Sequence, residues 1–382
     1  MLDCLKKALP ARRDGVMLLV LLAASVCLWQ LDFLVPTKTD PGTKEKARVI
    51  SVDNSEVIQM GFVRRGSQKL EVEVLSGRHR GTRFTATNEL RAQMELDKLF
   101  VPGDTALVGI LHNADPQYDT INAQDHYRIE YTLVLLGLFA LLLICFGGYT
   151  GFCALLSFVF SCLAIWKLVI PLCLNGVNAL LVTFLTVVLL SVVIILLVAG
   201  LTRKGFAALA GSLLGVVASA LTGWIFTHLF KINGAVMPYS QSLLHSGYEY
   251  LSLSDIYIGA IFLSSSGAVM DLAMDVASGI EEVALRNKLG FIELFKSGIR
   301  IGRSVVGTMT TTLLLAYSGG YLTLMMVFAA QGTSPTDFIN TPYVASEIVK
   351  TLVGSFGLVL VAPFTAAVGA WIFRIRPTEQ LP

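Results

Sequence analysis

The stretch GAIFLSSSGAVMDLAMDVASGIEEV, residues 259–283, decides how the chain is read. It is long and apolar enough to cross a membrane as a helix, yet its middle carries two aspartates, Asp271 and Asp275, one helical turn apart. At about 100° per residue, Ser264, Gly267, Asp271, Met274, Asp275 and Ser278 fall on one face, and Phe262, Val269, Leu272, Val276 and Ile280 on the other. An aspartate near the centre of a membrane helix costs about 2.5–3.5 kcal/mol on insertion scales, so the polar face is expected to turn toward protein or trapped water rather than lipid. Counting about 1.5 Å per residue back from Ile280 puts Asp271 roughly 13 Å and Asp275 about 8 Å from the cytoplasmic edge. Asp275 can snorkel to the headgroups and Asp271 cannot, which makes Asp271 the leading functional candidate.

The composition around this stretch agrees. Of 382 residues, 54% are hydrophobic and 15% charged, with a mean hydropathy of +0.68, too apolar for a soluble protein of this length. The net charge of +2 leaves no basic footprint for nucleic acid, and Lys and Arg gather in short loops and near both ends, as membrane topology alone would place them. The six cysteines form no CxxC pair or disulfide framework, and those inside apolar runs read as small hydrophobic filler. Val26 stands where a lipoprotein cleavage site before Cys27 wants a small residue. His112, His126, His228 and His245 are too scattered for a metal site, so neither metal nor cofactor is expected.

Outward from the key stretch, apolar runs at 15–35, 129–146, 151–170, 177–201, 205–230, 304–330 and 345–373 are each long enough to span. Lys6, Lys7, Arg12 and Arg13 precede the first, which reads as an uncleaved anchor. The run 304–330 is interrupted at Ser318-Gly319-Gly320. As one broken helix it makes about eight transmembrane helices and puts both termini in the cytoplasm. As two half-length spans it sends Arg374 and Arg376 outside, against the positive-inside rule, which favours eight. Residues 281–303, with Arg286, Lys288, Lys296, Arg300 and Arg303 among apolar neighbours, read as an amphipathic helix lying on the membrane surface. Ser254 and Asp255 are the expected N-cap residues of the key helix.

Residues 44–128 differ in kind, with alternation in Lys69-Leu70-Glu71-Val72-Glu73-Val74 and turn signals at Ser76-Gly77 and Pro102-Gly103-Asp104. Strands are expected over 47–58, 69–75, 82–87, 105–113 and 120–128, with a helix-prone segment over 89–99. Five short strands suit a small closed barrel of OB type better than an open sheet. Arg78, Arg80 and Arg83 read as solvated charges at a hairpin tip. The expected fold is thus an α-helical polytopic membrane protein with a small all-β, OB-like extracytoplasmic domain. Residues 1–43 form a cytoplasmic tail and anchor, 44–128 the β domain, 129–376 a seven-helix bundle and 377–382 a cytoplasmic tail.

Thr308, Thr311 and Thr312 come out about 6–12 Å from the same membrane edge, level with Asp271, and are grouped with it, Asp275, Ser264 and Gly267 as a substrate or ion pathway. Glu347 and Lys350, near the start of the last run, are secondary candidates. Ala207, Gly211, Gly215, Ser219 and Gly223 recur every fourth residue and read as a helix-packing stripe. No nucleotide-binding loop, HExxH or Ser-His-Asp arrangement stands out, and an intramembrane protease would need its carboxylates on two facing helices, so no enzyme activity is expected.

Three strings, GAVMDLAMDVASGIEEV at 267–283, GRSVVGTMTTTLLLAYSGG at 302–320 and ASEIVKTLVGSFGLVLVAPFTA at 345–366, resemble the bacterial YibE/YibF-like family of integral membrane proteins. The resemblance runs from about Ile129 to the end, and the anchor plus β domain is similar to the longer, YibE-type members. In the family pattern the GTMT string often continues with Asn where this chain has Thr311. The resemblance implies a multi-pass plasma-membrane protein and supplies no substrate. Two functions fit these residues: a transporter or pore for a small solute or ion, or a membrane-anchored sensor or assembly factor acting through the β domain. The expected partners are the lipid bilayer and a second membrane protein or further copy of the chain.

Overall fold

The computed structural model describes residues 12–30, 42–111, 120–287 and 289–374. Lys6, Lys7, the end of the first apolar run, His112, the strand end at 112–113, Lys288, Arg376 and the tail at 377–382 lie outside the described residues. The chain divides into two units, Thr37–Leu142 and Met1–Pro36 with Leu143–Pro382.

After α1 (Arg12–Trp29), the first unit opens with five strands, β1 (Gly42–Met60), β2 (Val63–Val74), β3 (Arg83–Arg91), β4 (Thr105–Leu111) and β5 (Thr120–His126). They close into a barrel in the order β1-β2-β3-β5-β4, with β3 and β5 parallel and the other pairs antiparallel. Alternation in β2 does what its period of two requires: Leu70, Val72 and Val74 are buried with Ala47, Val49, Phe100 and Val108, and Lys69 and Glu71 face out. Gln68, 0% exposed, is a polar exception. Its amide donates to Asn54 Oδ1 (2.8 Å) and the Phe100 carbonyl (3.0 Å) and accepts from Asn88 Nδ2 and Phe100 N (3.1 Å each), so its burial is compensated. The helix-prone segment 89–99 is no helix. Residues 89–91 finish β3, and Asp97 then accepts from the backbone N–H of Arg91 (2.8 Å) and Gln93 (2.9 Å), a side-chain capture that holds a turn.

The helices that follow are α2 (Ile129–Ala164), continued through a π turn (Ile165–Val169) into α3 (Ile170–Leu174), then α4 (Ala179–Ala199), α5 (Arg203–Leu229) and α6 (Ser240–His245). Next come α7 (Leu253–Arg286), α8 (Phe291–Gly320), α9 (Leu322–Ala330), α10 (Pro335–Asn340) and α11 (Pro342–Arg374). Among the described residues five helices are long and apolar enough to cross a membrane, counting Ile129–Leu174 as one, or six if the bent pair α8 and α9 is one span. This is a membrane protein with a β domain. Within α2 the backbone turns sharply at Gly148 (φ 54°, ψ −127°), and a Cβ on Gly151 would sit 2.1 Å from the Leu143 carbonyl oxygen, two turns away in a straight helix. The two apolar runs read there from sequence are therefore the two arms of one sharply turned element.

Other boundaries differ from expectation. The key helix extends beyond 259–283 at both ends, and its N-cap is Ser252, whose hydroxyl accepts from Asp255 N, rather than Ser254 or Asp255. The predicted surface helix over 281–303 is not a separate element: its first part ends α7 and its remainder begins α8. Glu293 caps that restart by accepting from Gly290 N (3.1 Å), Leu294 is buried, and Gly298 and Gly302 lie against α7 and α11. The interruption foreseen at 318–320 falls at Tyr321, where α9 leaves α8 at 64°.

The packing stripe of α5 lies against α11. Gly211 faces Thr365, Gly215 faces Val361, Ser219 faces Gly357 and Gly223 faces Val353, so two ridges of fourfold spacing run along each other. At Gly211 a Cβ would meet Thr365 Oγ1 at 2.0 Å and Thr365 Cα at 2.8 Å, which no rotamer change relieves. Gly211→Ala is expected to cost about 1–3 kcal/mol by overpacking, whereas Gly307→Ala, whose Cβ would meet open space, should stay within about 0.5 kcal/mol. Thermal melts of the detergent-solubilised variants test this, and equal melting of the two would refute the close approach.

Candidate functional site

The two faces of α7 separate as the periodicity predicts. Phe262, Val269, Leu272, Val276 and Ile280 are buried in the bundle core, while Ser264, Gly267, Asp271 and Asp275 lie on the open side. Neighbouring helices fix that rotation. Gly215 of α5 admits Val269, Gly298 of α8 and Gly369 of α11 admit Ile280, and Gly259 of α7 itself lies against Thr183 of α4.

On the open side lies a cavity of about 350 Å³ lined by Ile194, Ile195 and Val198 of α4, Met270, Asp271, Met274 and Asp275 of α7, and Met309 of α8. Between Asp255 and Glu281 these two aspartates are the only charged residues on α7, and they stand ten and six residues from Glu281, about 15 and 9 Å of helix rise. Two nearby cations pair with glutamates: Arg286 Nη2 lies 2.7 Å from Glu282 and Lys204 Nζ 3.8 Å from Glu281. No residue lining the cavity is basic. Two carboxylates one turn apart in a medium of low dielectric constant repel each other, and a proton or a cation between them relieves that repulsion.

The structure brings Asp271 and Asp275 together and separates the rest of the predicted set. Thr308, Thr311 and Thr312 flank Met309, which lines the cavity with Asp271, but they are not among the lining residues, and their hydroxyls donate to the carbonyls of Val305, Gly307 and Thr308 on their own helix. Ser264 belongs to a second polar cluster about 10 Å further along α7. Its hydroxyl lies 3.0 Å from Tyr317 OH of α8, Lys350 Nζ of α11 lies 5.3 Å from the centre of the Tyr317 ring, and Lys350 pairs with Glu347 at 3.4 Å. Glu347 and Lys350 are thus drawn to the polar stripe of α7 through Tyr317, which sequence reasoning did not single out although it is a hydroxylated aromatic in an apolar run. Gly267, between the clusters, opens onto empty space. Ile194, Ile195 and Val198 carried no signal, because an aliphatic wall and a lipid-facing side look alike in sequence.

A family model described as YibE/F-like protein matches residues 135–375. Neither the curated proteins nor the solved structures contain a match to the chain.

In a cysteine-free background, Gly267→Cys should react readily with a charged, membrane-impermeant thiol reagent, and Val269→Cys, 0% exposed, should not. An unreactive Gly267→Cys would mean that the stripe faces lipid.

Proposed function

The chain belongs to the YibE/F-like family, and we propose that within it this protein moves a small solute or ion across the bacterial plasma membrane along the polar stripe of α7. One observation carries the reading: the only charged side chains in the middle of α7 open into a cavity walled by α4 and α8 instead of packing. A structural carboxylate would be expected in the buried face with hydrogen-bonding partners; this pair sits on the opposite face. Ser264, Gly267 and Asp271 continue the stripe toward Tyr317, Lys350 and Glu347, a polar route through an apolar bundle. Asp271 is the central group, because Asp275 lies within reach of the headgroups. Counting the arms of α2 separately, α8 with α9 as one broken span and α1 as the anchor supports eight transmembrane helices with both termini cytoplasmic and the β domain outside. Its five strands, closed in the order β1-β2-β3-β5-β4, support an OB-like reading, and that barrel is the observation behind a second function, a partner- or ligand-binding sensor anchored by the bundle.

Asp271→Asn keeps the size and most of the hydrogen bonding and removes the titratable proton, so a transport role predicts normal expression and loss of activity in complementing a deletion strain. Asp275→Asn should retain more activity. Full complementation by Asp271→Asn sinks the transport reading and favours the sensor. For topology, reporter fusions after residues 203 and 376 should both be active inside the cell and a fusion after residue 40 outside; an outside-active fusion at 376 would make α8 and α9 two separate segments.

A further inference from the structure

The cavity beside Asp271 also constrains what it can hold. Its volume of about 350 Å³ is that of roughly twelve waters at about 30 Å³ each. A bare metal ion draws its oxygen ligands to about 2.0–2.6 Å and leaves no such space. The volume instead falls at the lower end of the roughly 300–1,000 Å³ typical of small-molecule sites, which are mostly apolar with a few placed polar groups. The wall fits that description: of eight lining side chains, six are aliphatic or thioether and two are carboxylates, with no basic residue to neutralise them. Three of the six are methionines, Met270 and Met274 on α7 and Met309 on α8, unbranched and polarizable side chains that adapt to irregular apolar shapes.

From size, apolar wall and uncompensated negative charge together we infer that this cavity binds a lipophilic organic cation, an amine or quaternary ammonium whose charge lies between Asp271 and Asp275 and whose hydrocarbon part lies against Ile194, Val198 and Met309. Only the movement of this cation across the membrane rests on the transport reading; the binding site stands on its own geometry. It also assigns the aliphatic residues of α4 a role in recognition: they select against small hydrated ions, which gain nothing from an apolar wall and lose water to enter it.

The test is equilibrium dialysis of radiolabelled benzyltriethylammonium with the detergent-solubilised full-length protein. Saturable binding is expected, weakened roughly tenfold or more in the Asp271→Asn, Asp275→Asn double variant. Val198→Phe fills the cavity from a side chain that is 45% exposed and leaves both carboxylates in place, so it should weaken binding without disturbing the fold. Met309→Leu, close in volume, should change affinity by less than about threefold. Variants that elute and melt like the wild-type protein exclude misfolding as the cause. Binding that silver ion displaces and Met309→Leu abolishes overturns the proposal in favour of a soft-metal site with thioether ligands. No binding by the wild-type protein, while Asp271→Asn still fails in the deletion strain, overturns the organic-cation class and leaves the transport reading standing. Binding lost in the double variant, with Asp271→Asn fully active in the strain, supports the site and removes its link to transport.

Discussion

The close approach of α5 and α11 is the constraint on which the membrane unit depends. In lipid no hydrophobic force pulls helices together, so their association rests on packing, and packing at this distance needs ridges without side chains. Gly211, Gly215, Ser219 and Gly223 on one helix and Gly357 on the other provide them. Once these two backbones are close, α7 can lay Val269, Val276 and Ile280 into the groove they share with α8, and that burial sets the rotation of α7 about its own axis. The polar stripe is then carried to the other side as a consequence of the apolar face being taken.

Two polar clusters result, about 10 Å apart on one helix and different in kind. The one at Ser264 is internally balanced: a hydroxyl pair, a Lys350–Glu347 ion pair and a lysine over an aromatic ring satisfy one another. The one at Asp271 and Asp275 is unbalanced in charge and borders a cavity. A balanced cluster can fix how α7, α8 and α11 sit, and an unbalanced one awaits a positive charge from elsewhere. The β domain obeys different rules, with an apolar barrel core in which two buried amides, Gln68 and Asn88, bond to each other and to the Phe100 and Lys98 carbonyls.

Boundaries were the weakest part of the sequence reading, and the reasons are local. The helix-prone 89–99 lost to a single carboxylate, Asp97, capturing two backbone N–H groups. The stretch 281–303 looked amphipathic because it joins the charged end of one membrane helix to the charged start of the next, and a hydrophobic pattern cannot distinguish that from a helix lying flat. The turn at Gly148 was legible as a gap between two runs, because Gly147-Gly148 interrupts an otherwise continuous apolar stretch.

Composition, periodicity and turn chemistry by themselves determined that this is a membrane protein with a β domain, that Asp271 and Asp275 share a face opposite Val269, Val276 and Ile280, and that one stripe of α5 is bare. Those are properties of a chain and its helical repeat, independent of neighbours. What only the tertiary structure decided is what each face meets. It left Thr308, Thr311 and Thr312 outside the cavity of Asp271, brought Met309 there instead, and supplied a wall from Ile194, Ile195 and Val198, more than seventy residues earlier in the chain. The physical reason is that a period of 3.6 residues fixes which side chains point together, while the rotation and partner of each helix are set by packing among helices whose lipid-facing and core-facing sides are equally apolar.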